Sequence, residues 1–140
     1  MNKICFYDIN ERKIKSSISN ISISGSPFIM ISKDLLFIPG LNIISLININ
    51  YYELIRKIKI PDYKIGIISY GSINGVCMLN KNTLLTGHEK GIIREWKIEE
   101  DNLVFISKKE NAHKSYINTL LNIGNGHISS GSEDSLIKIW

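Results

Sequence analysis

Short apolar segments alternate with turn-forming residues along the chain, and this pattern predicts β-strands throughout. The segments hold four to eight residues, are rich in isoleucine, and are mostly bounded by Gly, Asn, Asp, Ser or Pro. No window sustains an apolar repeat of 3.6 residues, so the pattern favours low helix content. We therefore predict an all-β fold with thirteen strands, at residues 3–9, 13–18, 27–31, 35–38, 43–49, 54–60, 73–78, 83–86, 92–98, 103–106, 117–121, 127–130 and 136–140.

The chain also repeats itself at an interval of 44 residues. Three pairs of features have this spacing: Gly87 and Gly131, Trp96 and Trp140, and the Arg-Lys-Ile-Lys tetrapeptides at residues 12–15 and 56–59. The glycines end matching segments, and the tryptophans close the segments that follow them. An interval of about 40–45 residues with four strands in each unit is typical of one kind of β-propeller.

Residues 112–140 carry the most specific signal. A histidine precedes an apolar strand, a Ser-Gly-Ser-x-Asp turn follows, and an alternating strand ends on tryptophan. The residues are His113, Ser130, Asp134 and Trp140. This arrangement resembles a WD40 repeat, closely over residues 69–140 and weakly over 1–62. The resemblance implies a partial WD40-like β-propeller built from four-stranded antiparallel blades, and it assigns these four side chains to a structural tetrad.

The chemistry of such a tetrad is self-consistent. Ionised Asp134 would accept a hydrogen bond from one ring nitrogen of His113, while the other nitrogen accepts from the Ser130 hydroxyl. The hydroxyl oxygen would then accept the indole N–H of Trp140. Because every polar group has a partner, the network can be buried, and loss of one member leaves the others unsatisfied.

The preceding repeat retains part of this pattern. The resemblance assigns Thr86 and Trp96 to a partial tetrad, whereas Lys90 occupies the position of the aspartate. Ser69 or Tyr70 occupies the position of the histidine. This repeat should therefore be braced less completely than the one at residues 112–140.

The resemblance divides the chain into parts of a single propeller. Residues 1–19 supply the end of a blade, 25–62 a degenerate blade, 69–111 a blade, and 112–140 the first three strands of another. In the degenerate blade, either Ile47 or Ile49 could take the tryptophan's place. A ring needs four to eight blades and this chain supplies about three, so we expect an incomplete ring that is a fragment of a larger one. Such a piece should expose apolar faces and need further blades for stability.

Charge and composition exclude only a few classes of function. The net charge is +4, from 17 basic and 13 acidic residues that are interspersed along the chain. This distribution argues against a nucleic-acid or membrane surface, although the two Arg-Lys-Ile-Lys segments leave binding to anionic lipid or RNA as an alternative. Neither a signal-peptide pattern nor an apolar run of about 18 residues is present, so we expect a cytoplasmic protein, with a nuclear location open. The two cysteines, Cys5 and Cys77, are expected to be buried and reduced.

No sequence motif indicates catalysis, a metal or a cofactor. His113, Ser130 and Asp134 have the residue types of a catalytic triad, but Ser130 lacks the strained turn of a hydrolase nucleophile. The structural interpretation also accounts for Trp140. His88 lies in a predicted His-Glu-Lys-Gly turn, where we expect a solvated side chain rather than a metal ligand.

The sequence therefore predicts a non-catalytic scaffold that binds other proteins and no small-molecule substrate. An alternative is that the segment is the targeting arm of a larger enzyme or ubiquitin-ligase chain. On a rigid β framework, binding surfaces are commonly built from turns. The turns expected to contact partners contain His88, Glu89, Lys90, Lys114, Ser115, Glu133 and Ser135.

Overall fold

A computed structural model describes residues 2–24, 27–61 and 72–140. The regular secondary structure of this part of the chain consists of thirteen strands and one short 3-10 turn. Their bounds are β1 Lys3–Asp8, β2 Lys13–Ser19, β3 Ile29–Met30, β4 Leu35–Pro39, β5 Ile43–Asn48, β6 Glu53–Lys59, β7 Ile73–Asn80, β8 Thr83–His88, β9 Ile93–Glu99, β10 Asn102–Lys109, β11 Ile117–Gly124, β12 His127–Ser132 and β13 Ile137–Ile139. A short 3-10 turn, Glu89–Gly91, links β8 to β9.

The strands form four open antiparallel sheets, in which neighbours along the chain are neighbours in space. The strand orders are β1-β2, β3-β4-β5-β6, β7-β8-β9-β10 and β11-β12-β13. Every predicted strand overlaps an observed one. The largest differences are at β10 and β11, which each run three residues beyond the predicted end, and at β3, which keeps only two of the five residues predicted at 27–31. In addition, β8 continues through His88, a residue that the sequence placed in a turn.

Side chains at the hairpin turns explain several chain reversals. Asp8, Asn48 and Asn80 are the last residues of β1, β5 and β7, and Asn122 lies two residues before the end of β11. Each accepts a hydrogen bond from the backbone N–H two residues on, at 2.8–2.9 Å. An Asp or Asn side chain at this position replaces a backbone acceptor and stabilises the turn locally. The turns that follow β1, β5, β7 and β11 are therefore specified by their own sequences.

The sheets pack face to face through three apolar layers. One layer joins β1-β2 to the β3–β6 sheet, and it contains Ile4, Ile21, Ile38 and Ile47. The second joins the β3–β6 sheet to the β7–β10 sheet, and its buried members include Phe37, Leu46, Leu84 and Trp96. The third joins the β7–β10 sheet to the β11–β13 sheet, and it includes Cys77, Leu85, Ile117, Leu120 and Ile128. Each sheet thus buries its apolar face against the next sheet along the chain.

The outer face of the β11–β13 sheet is exposed and apolar. Leu121, Ile137 and Ile139 are 59%, 80% and 67% exposed. Strand pairing puts Leu121 opposite Ser129 and Ile139 opposite Ser129, so these side chains share one face. The expected exposure of an apolar sheet face is therefore observed.

The two cysteines have different environments. Cys77 lies in the third apolar layer, and burial raises the pKa of its thiol to about 11. Cys5 is exposed, which corrects the expectation that both thiols are buried. The reason is the alternation along β1, in which Ile4 and Phe6 face the apolar layer and Cys5 points away from it.

Among the described residues, no helix has the length and apolarity needed to cross a bilayer.

Candidate functional site

Four polar side chains meet in the β11–β13 sheet. His113 lies between β10 and β11, Ser130 is on β12, Asp134 is in the β12–β13 turn, and Trp140 follows β13. His113 Nδ1 lies 2.9 and 3.0 Å from the two carboxylate oxygens of Asp134. His113 Nε2 is 2.7 Å from Ser130 Oγ, and Trp140 Nε1 donates to that same oxygen at 2.9 Å.

The partners determine the direction of each hydrogen bond. An indole N–H only donates and an ionised carboxylate only accepts, so His113 Nδ1–H donates to Asp134. Ser130 Oγ accepts from Trp140 and donates its own proton to His113 Nε2. Ser130 is 0% exposed and His113 is 2% exposed. The arrangement is therefore a chain of hydrogen bonds whose centre is buried and whose end members, Asp134 and Trp140, are part-buried.

Asp134 also fixes the backbone around it. Its oxygens accept the N–H of Lys114 at 2.8 Å and that of Leu136 at 3.1 Å. Burial by itself raises the pKa of this carboxyl group, but the N–H of Lys114, the His113 ring and the N–H of Leu136 outweigh that effect and lower the pKa to about 2. Asp134 thus joins the turn after β12 to the turn before β11.

A second hydroxyl-centred network lies in the β7–β10 sheet. Trp96 Nε1 donates to Thr86 Oγ1 at 2.8 Å, and Thr86 Oγ1 lies 2.8 Å from His88 Nε2. The Thr86 oxygen thus accepts the indole N–H and forms a second hydrogen bond with the His88 ring. His88 is 3% exposed, which corrects the prediction of a solvated turn histidine.

The histidine of this second network comes from an unexpected place in the chain. His88 lies two residues after Thr86 on the same strand, so both side chains point to the same face as Trp96. The residues predicted for the histidine's position, Ser69 and Tyr70, lie outside the described residues. Lys90, at the aspartate's position, is exposed with a left-handed φ of 59°.

The β3–β6 sheet uses apolar side chains at the corresponding positions. Ile47 pairs with Leu36 across β4 and β5 just as Trp96 pairs with Leu84 across β8 and β9. Ile38 lies two residues after Leu36, so it takes the position of the hydroxyl residue. Both isoleucines are 0% exposed. Of the two candidates for the tryptophan's place, the structure thus selects Ile47, and its sheet is braced by apolar packing.

Three turns meet at one rim of the last two sheets. The N–H of His113 donates to the carbonyl of Gly91 at 3.2 Å, and the N–H of Glu133 donates to the carbonyl of Tyr116 at 3.0 Å. Gly91 has a φ of +67°, and a Cβ there would lie 1.8 Å from the carbonyl oxygen of His113. Only glycine permits this approach, so the turn after β8 is fixed against the turn before β11.

The residues predicted to contact partners differ in their exposure to solvent at this rim. Lys90, Lys114, Glu133 and Ser135 are exposed, and Ser115 is half-buried. Glu89 is buried, which together with the burial of His88 corrects the expectation that this turn is open to partners.

Glu89 has a local role instead. Burial raises the pKa of its carboxyl group, against the opposing influence of Lys90 and of a hydrogen bond with Tyr116. This contact attaches the 3-10 turn to the start of β11.

The geometry limits what chemistry the site can perform. The hydroxyl of Ser130 is engaged both by His113 and by Trp140, and it is inaccessible from solvent. Across the described ranges, no three His, Cys, Asp or Glu side chains gather in a way that could hold a metal ion. Around this network, the accessible polar side chains include Lys114, Glu133 and Ser135 of the rim turns.

Comparison with known proteins places the fold. No protein-family model matches the chain. A chain in the crystal structure of the mitotic checkpoint complex superposes with a TM-score of 0.73 at 13% sequence identity, covering 99% of this chain and 44% of the other. The fold is a partial WD40-like β-propeller. Its four sheets are accordingly referred to as blades.

One curated protein is also similar in sequence. THO complex subunit 6 of Drosophila melanogaster is 25% identical over 85 residues, which make up 60% of this chain and 23% of that protein. The chain therefore spans less than half the length of the solved chain that it matches, and the similar stretch is under a quarter of the fly protein.

Replacing His88 tests its position in the second network. We expect His88→Ala to lower the free energy of unfolding by about 1–3 kcal/mol, because it removes the buried ring that hydrogen-bonds the Thr86 hydroxyl. His127→Ala is the matched control, since His127 is exposed at the start of β12. Its effect should stay within about 0.5 kcal/mol. Urea unfolding measures both values, and equal effects for the two histidines would contradict the assignment.

The lowered pKa of Asp134 predicts a specific dependence on pH. An ordinary aspartate has a pKa of about 3.9, so the ionised Asp134 stabilises the folded chain above that pH. This contribution should be lost as the pH falls from about 4 to 2, through the folded-state value. The urea midpoints of wild type and Asp134→Asn should therefore differ at pH 6 and converge toward pH 2. Asp101→Asn, which removes an exposed carboxylate from the turn between β9 and β10, is the control variant. Parallel curves for wild type and Asp134→Asn would refute the prediction.

Proposed function

We propose that this chain is a non-catalytic protein–protein interaction module, a WD40-repeat scaffold that presents its rim turns to other proteins. The observation that carries the proposal is the placement of the polar residues. His113, Ser130 and Asp134 have the residue types of a catalytic triad, yet they form a buried brace together with Trp140. The accessible charges stand on turns that this brace holds in place.

The rim has the properties expected of a protein-binding surface. Three of its exposed side chains are charged: Lys90, Lys114 and Glu133. The Tyr116 side chain lies among them and is 40% exposed. Tyrosine provides a large contact area with few rotatable bonds, and charges around it favour a specific partner orientation.

The comparisons support a role in an assembly. Both similar proteins are named for multi-protein complexes, the mitotic checkpoint complex and the THO complex. The proposal takes from them only the general class, binding of other proteins. The proposal names no partner, because proteins of the same fold can bind unrelated partners.

A charge-reversal pair tests the proposal. The rim variant combines Lys90→Glu, Lys114→Glu and Glu133→Lys. The control combines Lys33→Glu, Lys81→Glu and Glu100→Lys, which are exposed charges on the hairpin turns of the opposite rim. Both variants change the net charge equally. Quantitative affinity capture from cells expressing each tagged chain then compares the proteins retained, after far-UV circular dichroism has established equal folding.

We expect the rim variant to lose specific partners that both the wild type and the control retain. A loss of about tenfold in retained partner corresponds to roughly 1.4 kcal/mol of binding free energy. Identical partner sets for all three chains would contradict a partner surface at this rim. Equal losses in both variants would also contradict it, since the effect would then follow net charge alone.

A further inference from the structure

The two Arg-Lys-Ile-Lys segments have different surroundings in the structure. Residues 12–15 lie where the β1–β2 turn enters β2. There, Lys13 Nζ is 2.7 Å from a carboxylate oxygen of Glu11. Lys15 Nζ is 2.7 Å from the other oxygen of Glu11 and 3.4 Å from Asp8. The lysines of the first segment are therefore neutralised by acidic residues of their own hairpin.

The second segment, residues 56–59, lies on β6 and keeps its positive charge. Arg56, Lys57 and Lys59 are exposed, and among the described residues none of the three forms an ion pair. Glu53, the one acidic residue of β6, stands at the other end of the strand. Side chains alternate along a strand, so Arg56 projects on one face while Lys57 and Lys59 project on the other. Three positive charges thus flank a short length of an edge strand.

An exposed tyrosine stands at the turn that leads into β6. The Tyr51 side chain is 72% exposed, and its ring contacts no other ring in the described part of the chain. The turn itself is well anchored. Asn48 Oδ1 accepts the N–H groups of Asn50 and Tyr51 at 2.9 and 3.2 Å. In addition, the Tyr52 ring packs on Phe6 with centroids 4.8 Å apart. Tyr51 therefore projects into solvent from a fixed turn.

Folding of the turn does not account for an aromatic residue at this position. Hairpin turns are commonly built from Asn, Asp and Gly, which supply local hydrogen bonds and tolerate a left-handed φ. No other hairpin turn in the described ranges carries an aromatic side chain. Protection of an edge strand against aggregation requires charge, which β6 has, but no aromatic ring. The ring of Tyr51 is therefore available for a ligand.

An exposed aromatic ring beside basic side chains that lack acidic partners is suited to single-stranded nucleic acid. Unpaired bases stack on such rings, and Lys and Arg contact the phosphates of the backbone. The path from Tyr51 to Lys59 is about 26 Å long at about 3.3 Å per residue, so one strand can reach the ring and the charges together. A duplex would meet the same charges, but its bases are paired and stacked on one another.

We propose that the β5–β6 hairpin binds a single-stranded polynucleotide, with a base stacked on Tyr51 and successive phosphates on Arg56, Lys57 and Lys59. This activity goes beyond binding of other proteins. The surface contains none of the rim residues, and all of it lies on one four-stranded blade.

Fluorescence anisotropy with the full chain and a labelled RNA tests the proposal. The RNA has about 12 nucleotides, within the usual site size for single strands, and no self-complementarity. DNA of the same sequence is a second probe, and the RNA annealed to its complement is a third. We expect saturable binding of both single strands. The logarithm of the association constant should fall with the logarithm of salt concentration with a slope of about −2, since three phosphate contacts contribute about 0.7 each.

The two identical tetrapeptides provide a matched pair of variants. One variant combines Arg56→Gln, Lys57→Gln and Lys59→Gln, and the control combines Arg12→Gln, Lys13→Gln and Lys15→Gln. Both change the same residue types and the net charge equally. The first should weaken binding by about tenfold or more at low salt and bring the slope toward zero. The control should stay within about twofold of the wild type, because salt screens its distant charges.

Tyr51 is tested separately from the charges. Tyr51→Ala should weaken binding of the single strand by about fivefold or more, with an unchanged salt slope, because it removes stacking only. Tyr51→Phe keeps a ring and should retain the affinity. The duplex should respond to the triple charge variant but not to Tyr51→Ala.

Single variants keep the test valid if the triple variant loses its fold, which circular dichroism would reveal. Lys57 Nζ donates to the carbonyl of Asn20 at 3.0 Å, so its replacement also removes a contact within the chain. Arg56→Gln and Lys59→Gln leave this contact intact. Each should reduce the magnitude of the salt slope by about 0.7.

Four results would overturn the proposal. They are absence of saturable binding, equal losses in the two triple variants, an affinity that Tyr51→Ala leaves unchanged, and equal sensitivity of single strand and duplex to Tyr51→Ala. Binding to vesicles of phosphatidylcholine and phosphatidylserine without binding of RNA or DNA would assign β6 to a membrane surface and would also overturn it. No variant touches the rim, so failure here is distinct from failure of the proposed function.

Discussion

A buried hydroxyl that accepts an indole N–H and also hydrogen-bonds an imidazole is the interaction on which the last two blades depend. In one blade the hydroxyl belongs to Thr86 and in the other to Ser130, 44 residues later. Each hydroxyl adds a side-chain hydrogen bond between strands that are also paired by their backbones, and this bond orients the tryptophan ring. Because such a network is stable in the interior only when all its members are paired, it specifies one arrangement of the strands.

The strand positions could be predicted because alternation and turn residues are local properties that each segment carries. Position 88 could not be assigned in the same way. The sequence His-Glu-Lys-Gly is typical of a turn, yet β8 continues through the histidine because its ring bonds to a hydroxyl two residues earlier. The spacing Thr-x-His on a strand was the available signal, since it places both side chains on one face. The roles of Ile38 and Ile47 depended on cross-strand pairing, which no single segment encodes.

The brace and the accessible surfaces have complementary roles. Asp134 couples the brace to the rim, because it bonds the His113 ring and the backbone of Lys114 at once. Groups with the chemistry for catalysis are thereby buried, while charged side chains on the same turns face outward.

Double-mutant cycles in the two blades test the central claim most directly. One cycle combines Thr86→Val with Trp96→Phe, and the other combines Ser130→Ala with Trp140→Phe, with free energies of unfolding measured in urea. The account predicts a coupling of about 0.5–3 kcal/mol in each cycle, since each pair shares one hydrogen bond within a network. Additive effects in either cycle, with a coupling below about 0.3 kcal/mol, would contradict it.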